Sequence, residues 1–118
     1  MNYPISEICD RLSIAMLKVE RIGGGACLEE KEALLKELNK EGFDYSIYIN
    51  LLKEVNAKIW DLESDVRKGK EGELGMEEVG RRAIAIREIN KQRVSIKNEI
   101  VEKTNTGFKD IKMNHASE

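Results

Sequence analysis

Asn90, Arg93 and Lys97 extend the line of Val79, Ala83 and Ile86 at gaps of 4, 3, 4, 3 and 4 residues, the spacing of a core-facing helical seam, yet they are one amide and two cations. Burying such groups unanswered is costly, so each requires a counter-group, a ligand or water. Arg93 and Lys97 stand one helical turn apart and repel each other unless carboxylates or a bound anion lie opposite. Glu7 and Asp10 are the natural neutralisers, and Asn56, Glu63, Arg67, Arg21 and Arg82 occupy further inward positions. Three acids (Glu7, Asp10, Glu63) then face five bases (Arg21, Arg67, Arg82, Arg93, Lys97), a cationic surplus that suits a small anionic ligand. Trp60 shares a flank with Asn56, Glu63 and Arg67 and could stack on a ring or a guanidinium. The plainer reading of the same set is structural, with ion pairs and amide contacts that fix helix register.

Two enzymatic readings stand beside these. The pair Glu7/Asp10, with Asp61 and Asp65 one turn apart, could hold magnesium as helix-borne carboxylates do in all-α nucleotide pyrophosphohydrolases. Asp61 and Asp65, however, share an outer face with Glu54 and Lys58, the pattern of a solvated charge run. A chorismate-mutase-like use of the arginines of the last helix is the other, on a pattern common to amphipathic helices. The serines are scattered, the one histidine is His115 in the tail, and Cys9 and Cys27 have no CxxC spacing and no readable base. Neither a catalytic nucleophile, a metal centre nor a cofactor is expected.

A chain of 118 residues with 41% hydrophobic content is long enough to bury one core. Charged residues at 36%, aromatics at 5% and a single proline favour helices over sheet, so the expected class is all-α. Net charge is -2, which gives no basic field for nucleic acid or an anionic membrane. The longest apolar run is of the order of Ile14-Ala15-Met16-Leu17, too short to span a bilayer, and MNYPISEICD lacks the regions of a secretory leader. Cytoplasmic residence with reduced thiols is expected.

Four helices must position these side chains. Ile5, Ile8, Leu12, Ala15, Val19 and Ile22 mark the first, which Gly23-Gly24-Gly25 ends; a second stripe, Glu7, Asp10, Ile14, Leu17 and Arg21, makes it the helix covered on both sides. Leu28 to Glu41 forms a shorter charged helix with Leu34, Leu35 and Leu38 inward, closed by Gly42. Asp44 caps the third, whose seam is Tyr48, Leu52, Val55, Ile59, Leu62 and Val66, running to about Lys68. After the polar turn Lys68 to Gly75, the fourth runs from about Met76 to Lys103. The expected architecture is an antiparallel four-helix bundle (residues 1–104) built on a long hairpin of helices 3 and 4. The tail (105–118) is loose or draped through Phe108 and Ile111. A rise of ~1.5 Å per residue then places Glu7 and Asp10 level with Arg93 and Lys97, Asn56 with Asn90, and Glu63 with Arg21 and Arg82, Arg67 lying above.

The motifs ISEICDRLSIAMLKVERI, VNAKIWDLESDVRKG and IREINKQRVSIKNEI together resemble a family of small bacterial proteins classified only as a domain of unknown function. The resemblance implies a signature at Glu7, Asp10, Lys18, Arg21, Asn56, Trp60, Glu63, Arg67, Asn90, Arg93 and Lys97. Some members of this and a similar helical family lie near genes for cell-surface polysaccharide assembly, and the resemblance thereby implies a glycan or sugar-nucleotide context. The functional expectation is a non-catalytic helical module, a homodimer, that holds a small anionic ligand or a partner protein over this polar set.

Overall fold

The computed structural model describes residues 3–42, 44–67 and 71–104, with backbone alone at 65–67 and 71–74. These residues form α1 (Ile5–Arg21), α2 (Gly25–Asn39), α3 (Ser46–Arg67) and α4 (Glu71–Thr104), with no strand among them. Phe108, Ile111 and the rest of the tail fall outside the described residues.

The helix ends follow from backbone chemistry. Pro4, fixed at φ −59°, leads into α1, and its carbonyl accepts the Ile8 amide. At the other end Gly23 adopts φ 78°, and its N–H and that of Ile22 both donate to the Lys18 carbonyl, satisfying an orphan acceptor. Of the three consecutive glycines only Gly23 and Gly24 take left-handed angles; Gly25 is helical, so α2 begins three residues before the expected Leu28. The Asp44 carboxylate accepts the Ser46 N–H at 3.0 Å, and this hydrogen bonding holds its carboxyl below the usual range. Gly75 at φ 79°, ψ 160° interrupts α4, but Glu71–Leu74 ahead of it are already helical, so among the described residues of the expected turn only Gly75 departs from the helix.

α1 is the hub. It packs against α2, α3 and α4, and α3 packs against α4, whereas among the described residues α2 approaches α1 alone. Ile5, Ile8, Cys9, Leu12 and Ala15 of α1 meet Leu34 and Leu38 of α2, Tyr45 just ahead of α3, Tyr48, Ile49 and Leu52 of α3, and Ile100 of α4 in one core, and Leu17 of the second stripe is buried as well. Each large aliphatic chain taken from water there contributes about 2 kcal/mol before entropy is counted. Because α2 has one neighbour its buried line is narrow: Leu34 and Leu38, four apart, are inside, and Leu35, expected inward, is 41% exposed.

α4 is rotated relative to the seam expected from its sequence. Its inward line is Arg82, Ala85, Ile89, Arg93, Ile96 and Ile100, while Ala83 and Asn90 are exposed. In place of Ala83 and an amide the rotation brings Ile100 to full burial and Ile89 and Ile96 to half-burial, while Val79, Ile86 and Lys97 of the expected seam stay half-buried, a gain in apolar burial. α3 follows its expected seam through Tyr48, Leu52 and Val55, all buried, and then loosens, with Ile59, Trp60, Leu62 and Glu63 half-buried. No helix among the described residues is long and apolar enough to cross a membrane.

Candidate functional site

Where α1, α3 and α4 meet, four polar side chains close on one another. Asp10 on α1 is 1% exposed, and such burial alone would push its carboxyl pKa upward. Arg93 on α4 grips it with both arms, Nε donating to Oδ1 at 3.0 Å and Nη2 donating to Oδ2. Asn56 on α3 donates Nδ2–H to the same Oδ1 at 3.0 Å. Burial is the largest single influence on Asp10, yet the Arg93 hydrogen bonds and charge, the Asn56 bond and the Lys97 charge together outweigh it and hold the carboxyl below its ordinary value. Asp10 is therefore an anion with both oxygens engaged.

Ser13, fully buried one turn along α1, completes the set. Its hydroxyl donates to the Asp10 carbonyl at 2.6 Å and accepts from Asn56 Nδ2 at 2.9 Å. Sequence reasoning overlooked Ser13, because a neutral hydroxyl inside a helix carries no charge imbalance to notice. Its position three residues after Asp10, on the same face, was the available signal. These bonds also fix the Asn56 amide. Both groups before it are acceptors, since the Ser13 hydrogen is already spent, so Nδ2 must face them and Oδ1 must face away. No donor among the described residues reaches Asn56 Oδ1, and no buried side-chain nitrogen or oxygen lacks a partner, so this oxygen is open to solvent.

Lys97 donates Nζ–H to Glu7 Oε1 at 2.5 Å beside the network, and Arg11 lies 3.8 Å from the other Glu7 oxygen. Arg21 does not meet Glu63; it bonds Asp61 at 2.6 Å, with its guanidinium carbon 5.4 Å from the centre of the Trp60 ring. Arg82 is paired within α4 to Glu78, a local partner one turn away, rather than in an upper layer with Arg21 and Glu63. Asn90 does not reach Asn56. It is exposed by the rotation of α4, and its Oδ1 lies 3.5 Å from Arg93 Nη1. Arg67 ends α3, and its side chain is outside the described residues.

Glu63 is the exception to this pairing. Half-buried on α3, it has no ion-pair partner among the described residues. It lines a cleft of about 170 Å³ together with Ile14, Leu17, Asn56, Ile59, Trp60 and Arg93. Four of the lining residues are apolar, and Asn56 and Arg93 belong at once to the lining and to the network with Asp10 and Ser13. The cationic surplus counted from the sequence is not found here: Arg21, Arg82, Arg93 and Lys97 each face a carboxylate. Of the acids proposed for magnesium, Glu7, Asp10 and Asp61 are all held by bases and the Asp65 side chain lies outside the described residues; among the described residues no three metal-ligating side chains converge.

Cys9, next to Asp10, is fully buried; burial, and secondarily the Asp10 charge, push its thiol up to about 12. It is an inert core thiol. No family model matches the chain, and no curated protein or solved structure matches it.

Proposed function

We propose that this chain is a non-catalytic helical binding module that holds a small ligand in the cleft between α1, α3 and α4. The observation that carries the reading is the cleft's construction. Three helices contribute its lining, and the Asp10, Ser13, Asn56 and Arg93 network, which supplies two of the lining residues, ties those helices together. A cavity built on a rigid, satisfied polar cluster keeps its shape when empty, which lowers the cost of binding. With this reading go an antiparallel course of the bundle around the α3/α4 hairpin, supported by the order of the pairs Glu7–Lys97 and Asp10–Arg93, and a homodimeric state.

A thermal-denaturation screen over small organic cations, anions and sugars tests it. A ligand that recognises only the folded chain must raise Tm in proportion to its excess over Kd. At least one class is expected to do so and to lose the effect in Ile14→Phe, which fills the cleft. A screen in which no compound stabilises the protein, or in which stabilisation survives Ile14→Phe, overturns the proposal.

The second reading, a structural or assembly protein, draws on the same network, since a fully satisfied buried polar cluster specifies helix register without any ligand. Under it, Ile14→Phe changes stability alone and no ligand is found.

A further inference from the structure

Resting on the binding reading, we infer that the cleft takes an alkylammonium ligand: a positively charged amine on a short apolar body. Three observations converge on that class. The formal charge facing the cleft without an answer is the Glu63 carboxylate, because the charge of Arg93 is neutralised by both oxygens of Asp10. The second open polar atom is Asn56 Oδ1, also an acceptor, left over once its Nδ2 is committed to Asp10 and Ser13. Between them lie Ile59 and Trp60, with Ile14 and Leu17 across from α1.

Asn56 and Glu63 are two turns apart on one face of α3, ~10 Å along the axis, with the apolar residues in the middle. The cleft thus presents an acceptor at each end and hydrocarbon between. A ligand that matches brings donors, a positive charge and methylene groups. An ammonium head at Glu63 makes a charge-assisted hydrogen bond in a partly dehydrated setting, where such bonds are stronger than in water. The indole of Trp60 adds its π surface to the attraction for a cation. An anion, in contrast, would face the Asn56 oxygen and the Glu63 carboxylate, and the one base in the lining, Arg93, is already paired with Asp10.

Trp60 is the chain's only tryptophan, so emission excited at the red edge, where tyrosine does not absorb, reports on this cleft. The experiment titrates the full chain with butylamine and diaminobutane, with butanol and butyrate as isosteric neutral and anionic probes, following Trp60 emission and Tm. The two amines are expected to move both signals saturably, and butanol and butyrate to bind at least about tenfold more weakly. Glu63→Gln, which exchanges a partnerless carboxylate for its neutral isostere, is expected to raise the Kd for the amines by about tenfold while the ligand-free Tm stays near that of the parent. Butyrate binding as tightly as butylamine, or amine affinity unchanged in Glu63→Gln, overturns the ligand class and leaves the binding module standing. Silence of Trp60 and Tm toward all four probes also overturns it, and silence across the wider screen as well removes the module.

Discussion

Arg93 reaches from α4 to α1 and holds both carboxylate oxygens of Asp10, a residue 83 positions earlier in the chain and almost wholly withdrawn from water. Removing Arg93 leaves the Asp10 charge without its counterpart at a position almost wholly withdrawn from water. Arg93→Met is expected to lower the free energy of unfolding by about 3 kcal/mol. Asp10→Asn should also destabilise, but the double variant should cost less than the sum, with a coupling of about 2 kcal/mol. Denaturant titration of all four proteins measures it, and additivity within about 0.5 kcal/mol would mean that the pair contributes no coupling.

The same carboxyl makes stability depend on acid. Its folded pKa lies below the ordinary value, so the unfolded chain takes up the proton first as pH falls. The stabilisation is therefore full above about pH 4, the unfolded aspartate value, and drains away as pH drops through the lower folded value. Compared with Asp10→Asn, the parent should lose stability more steeply between about pH 5 and pH 2. Parallel urea titrations across that range provide the comparison, and equal slopes would contradict it.

Two asparagines that look alike in the sequence should behave differently. Asn56 serves Asp10 and Ser13 with one nitrogen, and Asn56→Leu strands both acceptors, at an expected loss of about 2 kcal/mol. Asn90 is exposed with one long contact to Arg93, and Asn90→Leu should change stability by less than about 0.5 kcal/mol. If the two variants melt together, the assignment of α4's rotation is wrong.

Cys9 and Cys27 should separate by reactivity. With the Cys9 thiol buried and pushed up to about 12, almost none is thiolate near neutrality, whereas Cys27 is only half-buried. Alkylation of the native protein, read by peptide mass, is expected to modify Cys27 first, and Cys9 only at the rate of unfolding. Equal labelling of the two would refute this.

The pairs Asp10 with Arg93 and Glu7 with Lys97 were legible from heights along rigid rods, because a constant rise per residue carries register across a bundle without knowledge of the side chains. Rotation about a rod is harder to read. Moving α4 by roughly one position buries Ile100, half-buries Ile89 and Ile96 and turns Ala83 and Asn90 outward, and the choice depends on which neighbours α1 and α3 present. Arg21 was placed at the right level but with the wrong acid, since Asp61 and Glu63 differ by two residues and side-chain reach over Trp60 decides between them. α2 began earlier than expected because a glycine run marks a permissible break without saying which of its members makes it.

The attachment of α2 to α1 alone sets how this molecule should breathe. A rod anchored by Leu34 and Leu38, with Gly23 and Gly24 ahead of it, can detach as a unit while the three remaining rods keep the cleft intact. Amide protons of α2 should then exchange through a shallow sub-global opening, and those around Leu12, Leu52 and Ile100 only through complete unfolding. The protein would thus place its least durable segment where losing it leaves the binding surface unchanged.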